Sequence, residues 1–386
     1  MAYFDNAATT FPKPDSVYEF MSEFYKNSGA NAGRGNYGMA QSAGALLKDT
    51  RKRIQELFHC PVKQVVFTPT ATIALNIIIQ GLIKKGLKNI YISPFEHNAV
   101  TRTLHYYEQS GAIKVVQLHV QKDLSYEDLS YDLLRIRYQF DDVKPDAVIV
   151  SHASNVIGLV APVEEIFAIA KDYDAITVAD MSQTAGLVDT NVGLNTFDFA
   201  VFAGHKTMYG PTGISGFVMK PEIVLEPVLF GGTGFESANQ NMPNSLPERY
   251  EMGTSNIVGI AGLNAALKWL DEQGKDTVWK REVEHRRRLL SIIEQYDFLR
   301  VVGNNDKQKF VGIVSCVMNG ISSDSAGGIF DRYGISVRTG LQCAPLAHQF
   351  LGTYPAGTIR FSLGYFTSDE DFTALERALE EIEENL

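Results

Sequence analysis

Between residues 60 and 220 the chain repeats one pattern: a short apolar run, a turn-former, then a helix-like stretch. "QVVFT", "NIYIS", "DAVIVS", "AITVAD" and "FDFAVFAG" are the apolar runs, and "ATIALNIIIQGLI" and "PVEEIFAIAKDY" are typical of what lies between them. Strands without polar alternation are covered on both faces. Their alternation with helices predicts an α/β layer built on a mostly parallel sheet. After about residue 225 the texture changes to "GGTGFESANQNMPNSLPERYEMGTSN", a polar stretch too long for an ordinary connection and therefore expected to be functional. Helical patterns follow, then mixed strands and helices ("FVGIVSCVMNG", "SDEDFTALERALEEIEENL"), which read as a second, smaller α+β domain beginning near residue 260.

Charge and cysteine usage narrow the function classes. A net charge of -10 excludes the basic stripe that a nucleic-acid surface needs. The basic cluster "WKREVEHRRRLL" is interleaved with Glu and reads as a solvated helix face. Cys60, Cys316 and Cys343 are too few and too scattered for a disulfide framework, and neither CxxC nor HxxxH spacing occurs, so no metal site is expected. "MAYFDNAATT" lacks the features of a signal peptide, and "IALNIIIQGLI" is too short to span a bilayer. The expectation is a cytoplasmic protein with free thiols and no membrane partner.

In an open parallel sheet, ligands bind outside the carboxyl ends of the strands. The residues expected there are Glu96-His97-Asn98, Ser154-Asn155, Asp180 with Gln183, and His205-Lys206. Taken singly, each has an ordinary role as a cap, a turn-former or a solvated amine. Together they make a set: a carboxylate to keep a ring nitrogen protonated, a flat ring to stack, and an amine to form a Schiff base. In "VVFTPTATIALN", Thr70-Ala71-Thr72 lead from a strand into a helix whose N-terminus is a ready anion site. His205 stands where a Walker motif requires Gly before its Lys, and no GxGxxG follows a strand. A phosphate site without a nucleotide motif, beside a strand-end lysine, points to pyridoxal 5'-phosphate.

Cys343 lies in "SVRTGLQCAPLAHQFLG", bracketed by Gly340 and Pro345 and close to Arg338. Cysteine is usually a buried hydrophobe, and Cys60 and Cys316 fit that description. Cys343 reads instead as a nucleophile on a mobile loop. A free thiol titrates near about 8.5, so the positive charge of Arg338 would favour its thiolate.

"YFDNAATT", "FEHNAV", "SHASNVIG", "VADMSQTAG", "FAGHKTMYGPTGISG", "YEMGTSN", "SVRTGLQCAPLAH" and "GTIRFSLGYFT" follow one another over essentially the whole chain. In that order they resemble the class V aminotransferases, in the SufS/CsdA-like cysteine desulfurase branch. The resemblance implies a fold type I transferase with a large cofactor domain over residues 14–260, a small domain over 261–386, and residues 1–13 near the active site. It implies that Lys206 carries pyridoxal phosphate, Asp180 pairs with the ring nitrogen and His97 stacks on the ring. Gln183 and Asn155 would contact the phenolic-oxygen side. Ala71, Thr72 and His205 would hold the phosphate, joined by Thr254 from the partner subunit of a homodimer. Arg360 would bind the substrate carboxylate, with Asn155 and Arg338 beside the substrate, and Cys343 would accept sulfur. The implied reaction converts L-cysteine to L-alanine, leaving a persulfide for an acceptor protein. L-selenocysteine as substrate, a class V lyase or aminotransferase that does not use Cys343, and a silent cofactor-binding or sulfur-carrier scaffold are the alternatives. Two positions depart from the pattern: Ala203 replaces a Ser or Thr donor to the phosphate, and Leu341-Gln342 replace two histidines before the reactive Cys.

Overall fold

Seven strands form one sheet in the spatial order Gln64–Thr68, Ser215–Met219, Phe199–Ala203, Ile176–Asp180, Ala147–Ser151, Asn89–Ile92 and Lys114–Gln117. This is a computed structural model that describes residues 1–32, 35–123, 129–305 and 307–385. Every neighbouring pair in the sheet is parallel except those made by Ser215–Met219, which runs antiparallel to both of its neighbours. All five residues of Ala147–Ser151 and of Phe199–Ala203 are buried, as expected for strands covered on both faces. Val148 and Val150 face one apolar cluster and Ala147 and Ile149 the other, the two-residue period of a strand. Helices Gly38–Leu57, Val163–Lys171 and Ile257–Gln273 cover the first face, and Ala71–Lys84 and Asn98–Gln109 the second. Each fully buried Phe or Ile in these layers contributes about 1.5–3 kcal/mol.

A four-stranded antiparallel sheet, in the order Leu299–Val302, Ile313–Met318, Thr358–Ser362 and Arg338–Gly340, forms the second unit. Its core takes Leu289, Ile292 and Ile293 from helix Lys275–Ile293, and Phe372, Leu375 and Leu379 from helix Asp369–Glu384. The boundary expected near residue 260 falls inside helix Ile257–Gln273, whose side chains belong to the large core. Gly274 ends that helix with φ 78°, and Ala265, Ala266 and Leu270 before it share a cluster with Val278, Val311 and Ile313 after it.

The N-terminal segment bridges the two units. Ala2–Tyr3 pairs in parallel with Ile335–Ser336 of the smaller unit. The chain then crosses to the large sheet, where Thr10 N–H and the Thr9 hydroxyl both donate to the His205 carbonyl. Among the described residues, no helix is long and apolar enough to cross a membrane.

Candidate active site

The carboxyl ends of five strands open onto one cavity of about 200 Å³. Ala71, Thr72, His97, Asn155, Asp180, Gln183, His205 and Lys206 all line it, so eight of the expected residues meet there. Ala203, the position without a hydroxyl, lies in the same wall.

Asp180 ends strand Ile176–Asp180, and its Oδ1 accepts from Ser182 N–H at 3.0 Å and from the Ser182 hydroxyl at 2.5 Å. Both side-chain bonds fall on one oxygen, which leaves the other for the cavity. Lys206 follows strand Phe199–Ala203, and burial pushes its amine down to about 8, with Asp180 opposing the shift. No hydrogen bond occupies its Nζ among the described residues. A lysine of this kind is partly unprotonated near neutral pH and free to add to a carbonyl group.

His97 caps helix Asn98–Gln109, its Nδ1 accepting from Ala99 N–H at 3.0 Å. Burial, reinforced by Lys206, pushes its pKa down to about 4, so the ring is neutral with its proton on Nε2. His205 is likewise pushed down to about 4 by burial and then Lys206, and its buried Nδ1 has no partner. At the far wall, Thr70 caps helix Ala71–Lys84 by accepting from Ile73 N–H. Ala71 and Thr72 line the cavity, and their N–H groups, in the first turn, have no intrahelical acceptor. The site therefore offers an amine, a carboxylate, a neutral aromatic ring and an anion cradle in one enclosure.

Cys343 lies between strand Arg338–Gly340 and helix Pro345–Phe350, and it is exposed. The segment is a short turn, held from several sides. Its flanking residues Gln342 and Ala344 are buried. The Cys343 carbonyl accepts from Asn98 N–H at 2.7 Å, an otherwise orphaned donor in the first turn of the His97 helix. The Gln342 carbonyl accepts from Asn155 Nδ2, also at 2.7 Å. Gln342 and Cys343 both hold left-handed backbone, with φ 40° and 58°. Gly357 approaches so closely that a Cβ there would lie 2.1 Å from the Gly340 carbonyl. The other two cysteines are buried, and burial pushes the Cys60 thiol up to about 12 and the Cys316 thiol higher still.

The remaining expected residues lie outside the inner cavity. Arg338 is exposed and shares with Cys343 a larger outer groove of about 800 Å³. Arg360 is 2% exposed and donates from Nη1 to the Asn155 carbonyl and from Nη2 to Asp5 Oδ1, both at 2.8 Å. Its buried Nε has no partner. Arg338, Arg360 and Cys343 are near enough to perturb the titration of Lys206. Thr254 is exposed and apart from the cavity of its own chain, on the long polar segment that also exposes Leu229, Phe230 and Phe235.

Asp5, the partner of Arg360, was not legible from residue patterns. Glu96, expected at the strand ends, is buried and does not line the cavity, accepting instead from Ser93 and Ser151 hydroxyls and from Ser151 N–H. Burial pushes Glu96 up to about 7, opposed by these donors. The Asp5 signal lies in "YFDNAATT", and nothing local to it names a partner 355 residues away.

A mostly parallel sheet with a lysine, a carboxylate and a helix N-terminus at its strand ends defines an α/β enzyme scaffold. The sequence model of the family described as "Aminotransferase class-V" matches residues 2–375, and the chain belongs to that family. It is 31% identical over 400 residues to a "Probable cysteine desulfurase" of Pyrococcus abyssi, covering 100% of this chain and 94% of the relative. A protein described in the same words from Aeropyrum pernix is 32% identical over 399 residues, covering 99% and 94%. Among solved structures, the apo cysteine desulfurase from Thermococcus onnurineus NA1 superposes with a TM-score of 0.88 at 29% identity, over 100% of this chain and 95% of that one. Escherichia coli CsdA, a cysteine desulfurase in its S-sulfonic acid form, gives 0.81 at 25% identity, over 100% and 95%.

Proposed function

We propose that the chain is a pyridoxal-phosphate-dependent cysteine desulfurase that converts L-cysteine to L-alanine and keeps the sulfur on Cys343. One observation carries this reading: an exposed free thiol is tied through Asn98 and Asn155 to the cavity that holds an uncommitted lysine and a half-satisfied aspartate. The donor set fits the cofactor. Lys206 would hold its aldehyde carbon, Asp180 its ring nitrogen and His97 one face of the ring. The unpartnered His205 Nδ1 and the free N–H groups of Ala71 and Thr72 suit its phosphate. When bound, the cofactor supplies an electron sink conjugated to the substrate α-carbon.

The chain's own residues do the rest. Arg360 pairs with the substrate carboxylate, a charge-assisted contact that fixes which α-bond faces Lys206. The Lys206 amine, held near neutrality by burial, takes the α-proton. Arg338 lines the groove beside Cys343. The Cys343 thiolate attacks the substrate sulfur: a new S–S bond forms, the substrate Cβ–S bond breaks, and its electron pair remains with carbon. Protonation of that carbon completes alanine, and the persulfide passes to an acceptor protein.

We further propose a homodimer in which the segment bearing Thr254, Leu229 and Phe230 covers the partner's cavity, with Thr254 reaching the phosphate. A reducing cytoplasm is the compartment in which Cys343 stays a free thiol. The test is to mix the yellow purified protein with L-cysteine and to follow alanine together with the mass of the peptide that contains Cys343. The proposal expects alanine and a gain of one sulfur atom on that peptide. Alanine without the added sulfur would point to the lyase reading instead.

A further inference from the structure

The position before Cys343 departs from the family pattern, and the structure gives it a partner. Gln342 is 4% exposed, and its Nε2 lies 3.0 Å from the Thr358 carbonyl. A carbonyl only accepts, so this contact fixes the amide with Nε2 as donor and Oε1 on the opposite side. Oε1 lies 2.9 Å from Nε2 of His348, a fully buried ring that burial keeps neutral. His348 Nε2 must then carry the proton and donate. Its Nδ1, 2.7 Å from the Thr353 hydroxyl, accepts from it. These contacts give His348 Nε2 the donor role and Nδ1 the acceptor role.

The clamp acts on the backbone that carries the thiol. Gln342 and Cys343 are consecutive left-handed residues, a conformation disfavoured for any residue with a Cβ. Strain of this kind persists only where the surroundings over-determine it. The surroundings here are the Gln342 side chain, locked between His348 and Thr358, and its carbonyl, held by Asn155. We infer that Gln342, locked by His348, is a positioning residue that holds the Cys343 turn in the conformation presenting the thiol to the substrate. This inference rests on the desulfurase reading of Cys343.

The test uses the full chain loaded with cofactor and the variants Gln342→Met, His348→Leu and His348→Gln. Steady-state alanine formation gives kcat and KM, and hydrogen exchange reports the turn, where Ala344 N–H bonds the Leu341 carbonyl. Gln342→Met fills the space without hydrogen bonds. It is expected to lower kcat by about tenfold or more with KM within about twofold, since small misplacements of a reacting group cost that much, and to speed exchange across the turn. His348→Leu is expected to behave alike. His348→Gln can donate to Gln342 and accept from Thr353, and is expected to stay within about threefold of the native kcat. An unchanged kcat in Gln342→Met overturns the assignment, and so does His348→Gln as impaired as His348→Leu. If Gln342→Met does not fold, the two His348 variants decide. If the native enzyme makes no alanine, the desulfurase reading fails, while exchange in the same variants still judges the clamp.

Discussion

Replacing Asp5 by Asn keeps an acceptor for Arg360 but removes the carboxylate charge paired with it. In the native chain the two groups meet at 2.8 Å, with Arg360 2% and Asp5 21% exposed. Two unit charges about 4 Å apart at an effective dielectric of about 20 attract by about 4 kcal/mol. Desolvation of both groups cancels part of this. The exposure of Asp5 screens more, leaving a net loss of about 2 kcal/mol. Over 386 residues the unfolding entropy is about 0.8 kcal/mol/K, so Tm is expected to fall by about 2–3 °C. Activity is expected to move the other way. An anion about 6 Å from the incoming substrate carboxylate, at a dielectric of about 40, opposes binding by about 1.4 kcal/mol. Its removal lowers KM for L-cysteine up to about tenfold. Calorimetry of the cofactor-loaded variant and steady-state alanine formation read both numbers. A KM that rises, or a Tm that does not move, refutes the picture of Asp5 as an internal counter-ion competing with substrate.

Two further outcomes follow from buried groups. Burial pushes Lys206 down to about 8, and only its unprotonated form adds to an aldehyde. The rate at which cofactor-free protein takes up pyridoxal phosphate is therefore expected to climb between about pH 7 and 9 and then level off, followed by absorbance. A rate still climbing steeply at about pH 10 contradicts this shift. Glu282 is 4% exposed, accepts from Gly312 N–H at 2.8 Å, and is pushed by burial from 4.5 up to about 7. The folded chain holds this proton more tightly, so the group's stabilisation is present below about pH 4.5 and lost as pH rises through about 7. The cost above that window is on the order of 3 kcal/mol. Glu282→Gln is expected to raise Tm above the native value at about pH 8 and to leave it unchanged near pH 4; equal Tm values at the higher pH speak against it.

Residues that act through their position along a strand were readable in advance. Apolar runs without alternation marked buried parallel strands, and the polar residue ending each run had to emerge at the ligand-binding edge. That is why the sequence alone groups Asp180, Asn155, His97 and Lys206. Gly340 and Pro345 are local signals of the Cys343 turn, whereas what holds it comes from Asn98, Asn155 and Thr358. Asp5 stayed hidden for the same reason, since its partner lies at the other end of the chain. Local chemistry is written in the chain, while long-range pairing depends on the folded geometry.

The central claim is that Cys343 takes the sulfur from a substrate held over Lys206. The most direct measurement is alanine release from L-cysteine by cofactor-loaded Cys343→Ser, compared with the native enzyme. Serine keeps the size of the side chain and cannot form the S–S bond. The account predicts a yellow variant whose absorbance still responds to cysteine, while alanine release falls by about a hundredfold or more. Native turnover in that variant contradicts the account.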